Sequence, residues 1–322
     1  MLNAETFSGW AKALGFAEVG FCAIDPFIRS YQIVQSQQAL AERKQLRFFP
    51  AEDLPDAKSI AVLLWPYLQT PQPESNEVFI DSYYAASNAA YHAAREFEKQ
   101  VVSSGCFAKA NVPYPAKEAA IRAQLGWIGH HSLLITPSHG SRVVIILMAT
   151  GIEIPVIESP LHPQACLKCG RCAKACPSGA IDEKGLSHPE RCLRNFTMEG
   201  SVIPEQTRPK MGIRLIGCDI CQRVCPMQPD KPLHQRKPYL LSEFITEDSA
   251  AFSSAVARLS EEIGRNAARV QRVRAQAALL AGISRNPSYL PVLRQWAQLP
   301  FEAVRIHSQW AVEQIESLCE HT

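Results

Sequence analysis

The sequence predicts a multidomain protein of mixed α+β/α/β class, built in three parts. Three observations predict it. Apolar strand-like runs alternate with helical stretches through about residue 160. Eight of the eleven cysteines then fall between Cys166 and Cys225. From about Ser242 onward the pattern is helical to the end. The expected domains are residues 1–160, 161–232 and 233–322, and 322 residues leave room for two or three.

In the first part, residues 6–14 read as a helix, 17–22 as a short apolar strand and 30–46 as a second helix. Residues 59–64 form a strand that ends in the proline-rich loop of Pro66, Pro71 and Pro73. Residues 85–102 carry the Ala, Arg, Glu and Lys of a good helix former. A further helix over 117–125 follows the breakers Pro113 and Pro115, and the strand 142–149 closes this half. Glu118 is expected to face solvent or to cap its helix. There is no G-x-G-x-x-G or P-loop, so a phosphate-cradling nucleotide site is unsupported. The apolar runs 60–68 and 143–149 are too short to span a bilayer. The first residues carry no basic segment followed by an apolar one, so the expectation is a cytoplasmic chain without a secretory signal. A net charge of +2 gives no overall pull toward a polyanion.

The cysteine spacing is the most specific signal. Cys166-x2-Cys169-x2-Cys172-x3-Cys176-Pro177 is followed by Cys192 and then Cys218-x2-Cys221-x3-Cys225-Pro226. Soft thiolates hold iron well, and eight of them match two [4Fe–4S] cubes. Two zinc sites could also use eight cysteines, but they rarely carry this run. In such runs the cysteine before the proline ligates the other cluster. The expected ligands are therefore Cys166, Cys169, Cys172 and Cys225 for cluster one, and Cys176, Cys192, Cys218 and Cys221 for cluster two. Cys22, Cys106 and Cys319 lie outside the pattern and are expected as buried free thiols.

The tail reads as paired short helices, a small HEAT-like unit. Val256, Leu259 and Ile263 share one face, and Val270, Val273, Ala277 and Leu280 share another. Between Arg265 and Arg294 there are six arginines and no acidic residue. Arg265, Arg269 and Arg272 are spaced as one helical face, which is either ordinary solvated surface or a phosphate-contacting patch.

Several strings together resemble one family. They are Leu125-Gly126-Trp127-Ile128-Gly129 with Leu133-Leu134-Ile135, Arg191-Cys192 leading to Thr197-Met198-Glu199-Gly200, the run from Gly217 to Pro226, and Arg305-x-His307-x-x-Trp310-Ala311. In this order they resemble the epoxyqueuosine reductases. The resemblance implies a cobalamin-type first half, two clusters that pass electrons to the cobalt, and reduction of epoxyqueuosine to queuosine in tRNA. It implies a helical tail that helps grip the tRNA, and Arg265, Arg269 and Arg272 are the candidates for that contact. Trp127, Gly129, His130 and Asn111 are the cobalamin-binding candidates, and the electron donor implied is a low-potential flavodoxin or ferredoxin. The rival expectations are a ferredoxin-type electron carrier and a cobalamin-binding or -reducing carrier without that activity.

The chain departs from the family at its chemistry. The family's V-D-x-x-P acid falls on Ala110 in Lys109-Ala110-Asn111-Val112-Pro113. Its G-K-N is Gly129-His130-His131, and its Y-A-R-G-x-D-Y-H segment runs from Tyr84 to His92 without the Arg and Asp. Substitute proton donors are therefore sought in His130, His131 and Tyr84. This is the pattern of a divergent paralogue.

Overall fold

The computed structural model describes residues 2–36, 46–74, 76–154, 166–185, 187–230, 232–235 and 237–319. The first part runs α1 (Ala4–Ala13), β1 (Glu18–Ala23), α2 (Ile28–Gln35), α3 (Pro50–Asp53), β2 (Ser59–Pro66), β3 (Phe79–Ile80) and α4 (Ser82–Ser103). It continues with β4 (Ala108–Ala110), α5 (Ala116–Arg122), β5 (Trp127–Ile128), β6 (Leu134–Ile135) and β7 (Val143–Thr150). Residues 37–45, the far half of the expected second helix, lie outside the described residues; the helix that is described ends at Gln35.

One expectation needs correcting. The main sheet has the order β1-β2-β7-β4, and every pairing in it is antiparallel. The first half is therefore α+β in strand direction, not the parallel α/β that alternating strands and helices suggest. Even so, both faces are covered, which explains why β2 and β7 read as continuous apolar runs. Ala61, Leu63, Val144, Ile146 and Met148 face α1 and α4, packing on Phe7, Ala94 and Phe97. Ile60, Val62, Leu64, Val143 and Leu147 face the other way, toward Phe27, Ala119 and Ala120.

The cluster segment holds α6 (Arg171–Ala175), α7 (Leu193–Glu199), β8 (Arg214–Ile216) and α8 (Ile220–Arg223). The tail holds α9 (Leu241–Phe244), α10 (Ser249–Ile263), α11 (Val270–Ser284), α12 (Leu290–Trp296) and α13 (Glu302–Cys319). These parts share one apolar core. Leu193, Phe196 and Leu215 of the cluster segment pack with Phe244, Leu259, Val273 and Trp310 of the tail, and with Ile80 and Tyr84 of the first half. β3 pairs in parallel with β8, so a strand of the first half is hydrogen-bonded to the cluster segment. In the tail, Gly282 of α11 lies so close to α13 that a Cβ there would stand 2.7 Å from Ala311 Cα. His307 fastens the same junction: its Nε2 accepts from Ile203 N–H and its Nδ1 donates to Ala275 O, each at 3.0 Å. Among the described residues no helix is long and apolar enough to cross a membrane.

The expected arginine face is not formed. Arg265 and Arg269 lie in the turn between α10 and α11, not on a helix. Arg272 is buried and donates to the carbonyls of Asn266 and Ala267 at 2.6 and 3.1 Å, where it clamps that turn. Only Arg265 and Arg269 are open to solvent. Cys22 is buried as expected, and burial pushes its thiol up to about 12. Cys106 is half-buried, and the Cys319 side chain lies outside the described residues. Glu118 is neither free nor a cap: it accepts from Ser30 N–H at 2.9 Å and pairs with Arg122 at 2.6 Å.

Candidate functional site

The eight cysteines separate into two groups, and each group mixes the two sequence runs. A tight cavity of about 10 Å³ is lined by Cys166, Cys169, Cys172 and, from the second run, Cys225, with His130 and His131 on its wall. The chain wraps it through left-handed turns at Lys168 (φ 51°) and Gly170 (φ 71°). Backbone N–H groups of His130 and Lys168 both donate to Cys166 Sγ at 3.4 Å. In the second group, burial pushes the Cys221 thiol well up, and Cys218, Cys192 and Cys176 add to the shift, in that order, ahead of Cys172. Cys176, from the first run, thus sits among the thiols of the second. Its Sγ accepts from Ala180 N–H at 3.3 Å. Among the described residues no three His, Cys, Asp or Glu side chains gather tightly enough for a single metal ion. A cube takes four thiolates, one at each iron corner.

The Asp219–Cys221–Gln222–Arg223 part of the motif latches the cluster segment to the sheet domain. Gln222 Nε2 donates to Ser141 O and Oγ and to Tyr67 Oη at 2.8–3.1 Å. Arg223 pairs with buried Asp219 at 2.8 Å and donates to Thr70 O at 2.5 Å. Asp81, the N-cap of α4, lies in the same buried cluster. Burial, then the neighbouring Asp219, raise its pKa to about 6. Gly217 must be glycine here: at φ 84° a Cβ would stand 2.5 Å from Asp81 Cβ and 2.8 Å from the Tyr84 ring.

Beside this latch lies an open cleft of about 1070 Å³ between α4, α7 and the turn after α10. Tyr83, Tyr84, Asn88, Tyr91, Arg194 and Arg265 line it. It is at the top of the size range of cofactor sites. Asn88 spans its edge, donating to the carbonyls of Glu261 and Glu262 at 3.4 and 3.3 Å. Tyr84 is 5 % exposed and its Oη has no hydrogen-bond partner. Burial raises its pKa, so the hydroxyl keeps its proton.

The sequence-derived site residues do not converge on one pocket. His130 and His131 wall the cluster-one cavity, whereas Tyr84 lines the cleft. The expectation that His131 supplies a proton is corrected. Its Nδ1 accepts from Leu133 N–H at 3.2 Å, which places the ring hydrogen on Nε2, and burial lowers its pKa to about 4. His130 is held by its contact to Cys166 and by a 3.0 Å contact from Nε2 to Asp182 O. Gly129 turns under the His131 ring, where a Cβ would stand 2.7 Å from Cε1. Asn111 is left-handed (φ 57°), with its Nδ2 buried and unpartnered, and Trp127 is buried nearby in sequence. Ala110 is buried in the apolar core with Ala90 and Ala94, so an acid-bearing position of the resemblance is dry here. Its N–H donates to Glu98 Oε2 at 3.3 Å. Sequence reasoning missed Asp81, Lys117 and Arg194, whose neighbours are remote in the chain. The one available signal was Arg194, two residues beyond a ligand cysteine.

Comparison with known proteins agrees with this anatomy. Residues 165–228 match the family model of the 4Fe-4S double cluster binding domain. An epoxyqueuosine reductase of Aliivibrio fischeri is 28% identical over 346 residues, covering 97% of this chain and 91% of that one. That of Vibrio cholerae is 31% identical over 262 residues, 73% of this chain and 70% of the relative. The structure of an epoxyqueuosine reductase with an epoxyqueuosine-modified tRNA-Tyr stem loop superimposes with a TM-score of 0.80 at 23% identity, over 97% of this chain and 89% of that chain. A reductive dehalogenase described in terms of B12-dependent dehalogenation shares the fold more remotely, with a TM-score of 0.50 at 19% identity, over 86% of this chain and 35% of that one. With its two groups of four thiols, its latch motif and this likeness along nearly its whole length, the chain belongs to the epoxyqueuosine reductase family of iron–sulfur oxidoreductases.

Proposed function

We propose that this chain carries electrons through two crosswise-ligated [4Fe–4S] cubes to a cobalamin, for reductive removal of the epoxide oxygen of epoxyqueuosine in tRNA. The observation that carries this reading is the exchange of Cys225 and Cys176 between the two thiol groups. Cluster one is assigned to Cys166, Cys169, Cys172 and Cys225, and cluster two to Cys176, Cys192, Cys218 and Cys221. The residues fit both cubes: the thiols are grouped in fours, and backbone N–H groups already point at Cys166 and Cys176. His131 Nε2–H, buried and unpartnered at the wall of the first cavity, is assigned as a donor to cluster one.

The residues also fit a corrinoid. The cleft is roomy and aromatic-walled, and Tyr84, whose hydroxyl has no partner, lines it. A reduced cobalt centre would supply a strong one-electron and nucleophilic reagent. Tyr83, Tyr84 and Tyr91 would flank it, and Tyr84 would donate a hydrogen bond. Opening and deoxygenating an epoxide takes two electrons and two protons, and the oxygen leaves as water. With Ala110 in the position of the family's acid, proton delivery falls to Tyr84 or to ordered water. That arrangement is slow, because a positioned acid is worth about 10²–10⁴-fold.

Cluster one lies nearer the surface. Cys169 is exposed and Leu167 is 64% exposed, with Lys168, Arg171 and Lys174 around them. This rim suits an acidic low-potential donor of the flavodoxin or ferredoxin type. A reductase that acts on tRNA with such a donor works in the cytoplasm. The test is anaerobic: the protein with eight irons is mixed with cobalamin, a reductant and an epoxyqueuosine stem loop. Formation of queuosine that depends on cobalamin supports the reading. Cobalamin that never binds would overturn it.

A further inference from the structure

Neither Arg194 nor Lys117 is hydrogen-bonded or ion-paired to a carboxylate among the described residues, although the Asp81 carboxylate does act on Arg194, after Tyr84 and Tyr83. Among the described residues no hydrogen bond or ion pair holds the Arg194 guanidinium. Its flat face lies over the rings of Tyr83 and Tyr84, 4.6 and 5.5 Å from their centroids. Stacking of that kind leaves the in-plane N–H donors free. The other arginines of this region are already employed. Arg223 pairs with Asp219, Arg142 donates to Gln69, and Arg214 donates to Met211 O and is the cation that acts on the Cys218 thiol. Lys117, at the start of α5, bonds only a carbonyl, that of Ser132 at 2.8 Å. Desolvation, and then Arg194, lower its pKa. Arg194 is the one charged neighbour that acts on it in this way. Tyr84, whose buried hydroxyl has no hydrogen-bond partner, lines the same cleft as Arg194. Glu261 is a carboxylate on that cleft, and it stands with Arg265 and Asn266 on the opposite wall.

A guanidinium stacked on two tyrosines, with its fork of donors unbound on the wall of the cleft, makes a site for an oxyanion. We propose that Arg194, aided by Tyr84, anchors a phosphodiester of the ligand that occupies the cleft. The inference rests on the reading of the cleft as the site of reductive chemistry. The phosphodiester has two sources: the nucleotide loop of a cobalamin, or the RNA backbone beside the modified nucleoside.

The test uses the full chain with both clusters loaded, kept anaerobic. Affinities for cobalamin, for cobinamide (which lacks the nucleotide loop) and for an anticodon stem loop are measured by absorbance and fluorescence titration. They are compared in the wild type and in Arg194→Gln, Arg194→Lys and Tyr84→Phe. Unchanged iron content and visible spectrum show that each variant is folded. The expected result is a 10- to 100-fold loss for Arg194→Gln, about the size of a charge-assisted pair. Arg194→Lys should lose less, and Tyr84→Phe only several-fold. A loss for cobalamin but not cobinamide places the phosphodiester on the corrinoid, and a loss confined to the stem loop places it on RNA. Equal losses for cobalamin and cobinamide, or none for any ligand, overturn the anion site. So does a variant whose only change is the potential of cluster two, because Arg194 would then serve that cluster's charge. A wild type that binds its ligands while Arg194→Gln matches it removes the anion site and spares the functional reading. A wild type that binds none of the three removes both.

Discussion

At the scale of single residues, the cysteine spacing carries almost all of the information that the thiol groups later display. The exchange of Cys176 and Cys225 is a property of the C-x2-C-x2-C-x3-C-P run, because a short helical turn delivers three thiols to one cube and turns the fourth away. Replacing Cys192 with Ser should therefore empty cluster two alone, leaving about four irons of about eight per chain. Iron assay and EPR check this, and loss of all iron would contradict the grouping. His131 was harder to read. From sequence it is a loop histidine suited to proton transfer. Only the 3.2 Å bond from Leu133 N–H to Nδ1 and the cavity beside Nε2 turn it into a neutral donor to the cluster. His131→Leu should lower the midpoint potential of cluster one by roughly tens of millivolts, since N–H donation to cluster sulfur favours the reduced, more negative state. Redox titration followed by EPR reads the shift, and His131→Gln should restore part of it.

At the scale of elements, periodicity located the long helices and strands but left their directions and partners open. β2 and β7 are apolar on both faces because helices cover both, and such runs are commonly read as parallel strands. The arginine spacing misled for a different reason. Gly264, at φ 84°, ends α10 and breaks the helix that would have aligned Arg265 with Arg269 and Arg272. The motif Arg305-x-His307-x-x-Trp310-Ala311 also changes meaning. His307 is fully buried and ties α13 to α11 and to Ile203, so it holds the tail in place. Burial lowers its pKa to about 4, against 6.5 in an unfolded chain. The folded state thus binds fewer protons, and the stabilisation present above pH 6.5 is lost as pH falls toward 4. Between pH 7 and pH 5 this one group should cost roughly 2 kcal/mol. Urea titrations at the two pH values should show a smaller acid loss in His307→Gln, whatever its stability at neutral pH. At the neighbouring contact, Gly282→Ala would force α11 and α13 apart, since its Cβ would meet Ala311 Cα at 2.7 Å. Overpacking of this kind typically costs about 1–3 kcal/mol, visible as a lower thermal midpoint.

At the scale of the whole molecule, the three expected parts are fused more closely than the sequence suggests. β3 and β8 pair across the first border, Gln222 and Arg223 lock the cluster segment to the sheet, and one apolar core runs from Ile80 into the tail. No sequence pattern announces such contacts, because their members lie far apart in the chain, Tyr67 and Gln222 by 155 residues. The first thiol group lies at the surface, with Cys169 exposed, and the second is more enclosed, with burial raising the Cys221 thiol. Tyr84 feels the Cys192 thiol, and Gly217 lies against its ring, so the second thiol group borders the cleft itself. The position that the resemblance gives to the family's carboxylate is the buried Ala110 here. The most direct measurement is single-turnover reduction of an epoxyqueuosine stem loop by the protein carrying both clusters, with and without cobalamin. The account predicts cobalamin-dependent formation of queuosine, slow in the wild type and absent in Cys192→Ser. Turnover that needs no cobalamin, or that survives the loss of cluster two, would contradict it.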